Sequence, residues 1–259
     1  MKLFADTANL QEIERSLEQG IIQGITTNPS LMAKEPRSEY LVHLKKIVAL
    51  AKAYGGNYSL SVEVFSEEPR EMIAQAEQFV HELDYAHLAV KVHVSHGGAS
   101  NFRVVRELAR RGLAVNCTAC MTPMQAALAA ASGARYVSLF YNRIRDGATD
   151  SHTDERQQAL AERVIEETDF SPDQVIRESR QLLAEHPAAE IIVGSIRTVL
   201  DIKHAALAGA DIVTASPKLF VKAYSHYKTD EAVEQFLNDF ARGRSEPARV
   251  REILEPVPA

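Results

Sequence analysis

The chain has 259 residues, 46% of them hydrophobic and 25% charged, and its 35 acidic against 29 basic residues give a formal net charge of −6. That length allows a large core and is often reached by a single α/β barrel or sandwich. The mild acidity, without a basic block or cationic face, excludes a general nucleic-acid or anionic-membrane binder, and no apolar run approaches the ~18 residues of a membrane span.

The N-terminus, Met1-Lys2-Leu3-Phe4-Ala5-Asp6, enters a strand at once, so no signal peptide is read and a cytoplasmic location is expected. From there short β-rich runs alternate with helical patterns. The expected strands are 2–6, 24–28, 59–65, 88–94, 113–120, 136–141, 190–196 and 211–215. Between them the apolar spacing turns helical, as in Leu10, Ile13, Leu17; Leu41, Leu44, Val48; Met72, Ala76, Phe79, Leu83; and Phe102, Val105, Leu108. Thr122-Pro123-Met124-Gln125 reads as a capping box with proline at the first helical position, and Gly133 closes that helix. Ser171-Pro172-Asp173-Gln174 repeats the opening, and Thr198-Val199-Leu200-Asp201 resembles it, with Gly209 as the stop. An extra helix is expected near 154–168, and an amphipathic helix over 229–243 carries Val233, Phe236, Leu237 and Phe240. Residues 244–259 read as a charged, proline-containing tail beyond a domain spanning 1–243.

Two segments echo each other: Ala129–Ser138 and Ala205–Thr214 each end a helix at glycine and enter a buried strand. Eight strands, most followed by a helix, at about 32 residues per unit, suit an α/β fold of the (β/α)₈ barrel type. A doubly wound sheet is the alternative, but no G-x-G-x-x-G follows a strand and there is no P-loop.

Cys117 and Cys120 are the two cysteines, too few and too close for a disulfide framework. Their C-x-x-C spacing raises a redox pair or half a zinc site. No second pair exists, however, and the motif lies in an apolar run where small buried thiols fill a core.

Barrel strands are buried on both faces, so each polar residue within one needs a reason. Lys91 stands in the middle of Leu88-Ala89-Val90-Lys91-Val92-His93-Val94. A lysine at a strand end reaching solvent is the ordinary reading. A desolvated lysine with a lowered pKa, able to attack a carbonyl, is the functional one. Side-chain alternation puts Ala89, Lys91 and His93 on one face, and likewise Thr26 with Asn28, Ser61 with Glu63, Asn116 with Thr118, Ser138 with Phe140, and Ser195 with Arg197, while Asp6 closes the first strand. Glu63 pairing with Lys91 as a structural salt bridge competes with a catalytic role. A ring of Asp, Asn, Glu, Lys, Thr, Ser and Arg near strand C-termini nevertheless exceeds what a core requires and reads as catalytic.

Phe4-Ala5-Asp6-Thr7-Ala8-Asn9 followed by Gly24-Ile25-Thr26-Thr27-Asn28-Pro29-Ser30 resembles the N-terminal signature of the transaldolase family. Val90-Lys91-Val92 is similar to its Schiff-base strand, and Asn116-Cys117-Thr118, Gln125-Ala126, Asn142-Arg143-Ile144 and Ser195-Ile196-Arg197 follow in family order. The resemblance runs from about Lys2 to Phe220. It implies a TIM-like barrel, class I chemistry with no metal or other cofactor, and transfer of a three-carbon ketol unit between sugar phosphates. It further implies a homo-oligomer with no nucleic-acid or membrane partner. Lys91 would form the imine, Asp6 would be the acid/base of carbon–carbon cleavage, and Glu63 and Thr118 would hold the water of imine formation and hydrolysis. Asn28, Asn116 and Ser138 would bind the dihydroxyacetone unit, with Phe140 also against substrate, and Arg143, Ser195 and Arg197 would bind phosphate. His93 shares the face of Lys91, where it either touches substrate or assists proton transfer, or else fills the volume of the family's proline and bonds a neighbour.

Fructose-6-phosphate aldolase, the close relative that releases free dihydroxyacetone, has glutamine where this chain has Glu63 and tyrosine where it has Phe140, and lacks the asparagine at Asn116. All three favour transfer over aldol cleavage. The departures from the family pattern are His93 and Leu139 in place of prolines, the small or sulfur-bearing Cys117, Ala119, Cys120 and Met121, and the longer stretch from Arg143 to Glu190. These leave room for a non-standard substrate. A metal-dependent aldolase built on His93 and His96 lacks a third ligand in the sequence pattern. A non-catalytic sugar-phosphate binder would not need Asp6, Glu63 and Lys91 together.

Overall fold

The computed structural model describes residues 1–35 and 39–242, which fall into two compact units, Met1–Phe220 and a second beginning at Val221. In the first, eight strands close into a parallel barrel: β1 (Lys2–Asp6), β2 (Gly24–Thr26), β3 (Ser59–Glu63), β4 (Leu88–His93), β5 (Ala114–Cys120), β6 (Tyr136–Phe140), β7 (Glu190–Gly194) and β8 (Ile212–Ala215). Each pairs with its sequence neighbours, and β8 returns to β1, so no edge is left open. A small antiparallel hairpin, Ser95–His96 with Ala99–Ser100, follows β4 and was not anticipated by the apolar pattern.

The helices cover the barrel with the faces their spacing predicts. Helix α1 (Leu10–Glu18) buries Ile13 and Leu17, α2 (Pro29–Met32) is a single turn, and α3 (Tyr40–Ala53) buries Leu44, Ile47 and Val48. Helix α4 (Pro69–Leu83) buries Met72, Ala76, Phe79 and Leu83, an i, i+4, i+7, i+11 stripe. Helix α5 (Phe102–Arg110) buries Val104, Val105 and Leu108, and α6 (Pro123–Ala131) buries Ala126, Ala129 and Ala130. After β6 come α7 (Tyr141–Asp146), α8 (Thr153–Ala161), a 3₁₀ turn at Glu167–Phe170 and α9 (Pro172–Leu182). Helix α8 and the 3₁₀ turn together occupy the stretch where one extra helix is expected.

Helix α10 (Val199–Ala208) opens on a complete capping box between Thr198 and Asp201 and ends at Gly209 in the left-handed region. The box expected at Thr122 is only half formed: Thr122 accepts from the Gln125 N–H, while the Gln125 side chain accepts from the N–H of Met121. Ser171 makes no side-chain cap bond. Helix α11 (Pro217–Tyr224) buries Leu219 and Phe220. In the second unit α12 (Tyr227–Arg242) carries Val233, Phe236 and Leu237 exposed. The boundary expected at 243/244 and the tail beyond it lie outside the described residues. Among the described residues no helix is long and apolar enough to cross a membrane.

Two apolar layers follow from strand alternation. The larger lies between strands and helices and takes the outward residues, such as Val62, Val90, Val92 and Val115. The smaller lies inside the barrel, where Phe4, Ile192 and Ile212 pack with Tyr136. Phe4 needs its neighbour to be glycine: a Cβ on Gly24 would stand 2.6 Å from the Phe4 ring. This ring therefore floors the barrel interior, and the polar inward residues begin above it.

Candidate active site

Parity and register together assemble the polar ring. Parallel pairing sets Glu63 beside Lys91 and Lys91 beside Asn116, and then His93 beside Thr118. A cavity of about 180 Å³ opens there, at the C-terminal ends of the strands. Asp6, Asn28, Lys91, Asn116, Thr118, Ser138, Phe140, Arg143 and Ser195 line it, all but Arg143 on strands or at their ends. Glu63, His93 and Arg197 are not among its lining residues.

Lys91 is buried, and its ammonium donates to Glu63 Oε2 at 2.7 Å and to the carbonyl of Thr27 at 3.0 Å. The ion pair and a catalytic role for both residues do not compete. The carboxylate that holds the lysine is also the nearest base able to take its proton. Asn116 Oδ1 accepts from Ser138 Oγ at 2.6 Å, and its Nδ2 donates to Ser61 Oγ at 3.3 Å, so three strands are stitched by one fixed amide. Asn28 caps α2 through the N–H of Leu31 at 2.9 Å while facing the cavity.

Asp6 accepts from Thr26 Oγ1 at 2.7 Å, and Thr26 Oγ1 meets Thr214 Oγ1 at 2.5 Å. Since Thr26 gives its only proton to Asp6, Thr214 is the donor of the second bond. Burial pushes the Asp6 carboxyl above the usual range, against the Thr26 hydrogen bond and the nearby Lys91 charge, which pull it down. A buried carboxyl in this position can take a proton from a bound hydroxyl and return it. Thr26 and Thr214 were not given roles by the motif reading. Inward parity was the signal for both, and register sets Thr26 beside Asp6 and Thr214 beside Phe4.

The side that carries Ser195 and Arg197 is organised differently from the periodic expectation. Strand β7 stops at Gly194, and Ser195 has φ 58°, in the left-handed region. Alternation therefore ends at Ser195 and does not carry inward to Arg197. The Arg197 guanidinium lies exposed and bidentate to Asp146, with Nη1 to Oδ1 at 2.9 Å. Arg143 lines the cavity, and its guanidinium has no hydrogen-bond or ion-pair partner within 4.0 Å among the described residues, although its charge acts on Asp146.

The turn that carries Ser195 hangs on Asp201, which sequence reasoning saw only as part of a cap. Asp201 Oδ2 accepts from Asn142 Nδ2 at 2.9 Å and from the N–H groups of Arg197 at 3.0 Å and Thr198 at 2.9 Å. Arg145 reaches Oδ1 at 3.1 Å. Burial alone would raise the Asp201 carboxyl, but these four donors outweigh it and hold the group below the usual range. Asn142 Nδ2 also donates to the Ser195 carbonyl at 2.8 Å, fastening α7 to the strained turn.

The cysteines leave the site for a comparable reason. Cys117 pairs with Val137 but Cys120 with Leu139, so β5 spends one more residue than β6 over the same span. Ala119, at φ 62°, is the extra residue of this bulge. The phase shift turns Cys120 outward with Cys117, and both lie fully buried in the layer beneath the helices. Contact with Cys117, together with burial, pushes the Cys120 thiol well up, which makes it a packing group. Among the described residues no group of three His, Cys, Asp or Glu side chains is placed to hold a metal ion.

Comparison with known proteins agrees with the geometry. A family described as Transaldolase/Fructose-6-phosphate aldolase matches residues 3–255. A protein of Syntrophobacter fumaroxidans named "Probable transaldolase" is 36% identical over 245 residues, covering 93% of this chain and 97% of the relative. One of Symbiobacterium thermophilum with the same name is 34% identical over 247 residues, covering 94% and 100%. Among solved structures, thiamine phosphate pyrophosphorylase from Pyrococcus furiosus superposes with a TM-score of 0.51 at 13% identity, covering 83% of this chain and 85% of that one, a likeness of fold alone.

Proposed function

The chain belongs to the transaldolase/fructose-6-phosphate aldolase family, and from that premise we propose that it moves a dihydroxyacetone unit from a ketose phosphate to an aldose phosphate through a Schiff base on Lys91. The observation that carries the reading is a buried lysine held against a carboxylate at 2.7 Å, in a cavity that also holds the acid/base Asp6.

The chemistry follows from these positions. Glu63 takes a proton from the Lys91 ammonium, and the free amine attacks C2 of the donor. The resulting carbinolamine loses water, and the protonated imine becomes an electron sink. Asp6 then removes the proton of the C4 hydroxyl, the C3–C4 bond breaks, and its electron pair moves into the imine to give an enamine. The cleaved aldose leaves and an acceptor aldehyde takes its place. C3 of the enamine attacks the acceptor carbonyl while Asp6 returns its proton to the new hydroxyl. Water then attacks C2 and frees Lys91. Asn28, Asn116 and Ser138 are suited to grip the retained hydroxyls. Arg143 offers the phosphate a planar fork of donors, as would Arg197 once released from Asp146. Glu63, Asn116 and Phe140 support transfer over release of dihydroxyacetone.

Borohydride reduction in the presence of fructose 6-phosphate should leave a three-carbon adduct on Lys91, visible by peptide mass spectrometry. No adduct with any ketose phosphate would overturn the reading. Sustained dihydroxyacetone release without acceptor would instead place the chain on the aldolase side. A homo-oligomer working in the cytoplasm is the assembly that the family resemblance supports, and sedimentation of the full chain tests its size.

A further inference from the structure

His93 stands two residues beyond Lys91 on β4, on the same inward face, where the motif pattern has proline. Its backbone carbonyl accepts from Asn101 Nδ2 at 3.0 Å, which fixes the strand end, and its ring lies edge-on to His96 with centroids 6.1 Å apart. Its Nε2 is buried and, among the described residues, has no hydrogen-bond partner. The same holds for Thr118 Oγ1, and the register makes His93 and Thr118 direct neighbours across β4 and β5. Two orphaned polar atoms on adjacent strands are unusual, because each costs free energy unless a water or a ligand hydroxyl satisfies it. Lys91 Nζ and Glu63 lie one step down the same face.

Given the Schiff base at Lys91, on which this role depends, we infer that His93 is an additional catalytic residue: its Nε2, with Thr118 Oγ1, holds the water of imine formation and hydrolysis and moves its proton. In hydrolysis the water oxygen bonds to C2 of the imine while His93 Nε2 takes one water proton. That proton then passes, directly or through Glu63, to the departing amine, and the C2–N bond breaks while the C2 hydroxyl gives its own proton to Glu63 and becomes the ketone oxygen. In imine formation the same proton goes to the leaving hydroxyl. Burial holds the His93 imidazole below its ordinary pKa, which favours the neutral ring whose Nε2 can serve as the acceptor in one tautomer; the Glu63 and Glu67 carboxylates oppose this, and His96 adds to it. The charged groups facing His93 are thus Lys91 on its own strand, Glu63 and Glu67 from β3 and the segment after it, and His96 from the hairpin.

The test separates the steps that use water from those that do not. In rapid-quench experiments with fructose 6-phosphate, His93→Phe, which keeps a planar ring, should slow both Lys91 trapping and dihydroxyacetone release by about tenfold or more. Transfer from enzyme already loaded with the enamine to an acceptor aldehyde should stay within about twofold. His93→Asn, which restores an acceptor without a titrating ring, should recover part of the loss. It should also abolish the acid limb of dihydroxyacetone release that protonation of His93 gives the wild type. Equal slowing of every step in both variants would mark His93 as structural, and unchanged water steps would remove it from the mechanism. Either result, with normal wild-type trapping, overturns this role alone, whereas absence of wild-type trapping overturns the Schiff-base reading as well.

Discussion

Asp201 offers the sharpest check on how the turn that carries Ser195 is held. Its carboxylate is 4% exposed and takes three donors on Oδ2, namely Asn142 Nδ2 and the N–H groups of Arg197 and Thr198. Asp201→Ala strands all three. At about 1 kcal/mol for each bond lost, the substitution should cost about 3 kcal/mol, or about 6–12 °C in Tm for a chain of this size. Asp201→Asn keeps one oxygen for the same three donors and turns its amide toward Arg145, whose exposed guanidinium can swing into water. It should cost only about 1 kcal/mol, the difference between charge-assisted and neutral bonds. Thermal unfolding followed by circular dichroism measures both. The Michaelis constant for a phosphorylated donor should rise in the alanine variant, because Asn142 then loses the partner that aims it at the Ser195 carbonyl. The carboxyl is held below its ordinary range, so its contribution is fully present above the unfolded pKa of about 3.9 and fades as pH falls through the lower folded value. The gap between wild type and alanine should therefore close only in strong acid. An alanine variant within 2 °C of wild type, or an asparagine variant as damaged as the alanine one, would refute the anchoring role (both thresholds being about the resolution of the roughly 2–4 °C per kcal/mol scale).

Other outcomes follow from the same geometry. Asp6→Asn should abolish carbon–carbon cleavage yet raise Tm, because burying the Asp6 charge costs stability that increases as pH rises from the unfolded toward the raised folded pKa; a lowered Tm would contradict this. Thr26→Val removes the bond that pulls Asp6 down, so the acid limb of kcat should move to higher pH, and a limb moving the other way would sink the assignment. Arg143→Ala should weaken phosphorylated substrates by about 10- to 150-fold in kcat/KM, the worth of a charged hydrogen bond. It should leave unphosphorylated donors nearly unchanged, and equal losses on both would place Arg143 elsewhere. Gly24→Ala should destabilise by about 1–3 kcal/mol through overpacking on the Phe4 ring, read as a shifted urea midpoint; a neutral substitution would mean that the barrel floor is loosely packed.

Much of this architecture was legible in the sequence because burial on both faces leaves a clear mark. The eight strands announce themselves as apolar runs, and Lys91, Asn116 and Thr118 stand out as polar interruptions at one parity. Period two then predicts which of them face inward, and the cavity gathers Asp6, Asn28, Lys91, Asn116, Thr118 and Ser138 accordingly, while Arg143, which only the family resemblance pointed to, joins them from α7. The alternation holds only while the backbone stays extended. At Ala119 and Ser195 a single residue with positive φ resets the phase, turning Cys120 out to the helices and leaving Arg197 to Asp146. Convergence on Asp201 was invisible for a different reason: its donors come from α7 and from the turn before α10, and no periodicity links positions 142, 145, 197 and 198 to 201.

The sequence by itself determined the barrel, the buried lysine and the carboxylates near it, because these depend on local period and on the cost of burying charge. The tertiary structure alone decided which arginine lines the cavity, which residues hold the turn that carries Ser195 and where the cysteines point. These depend on phase breaks of one residue and on partners brought together from distant parts of the chain.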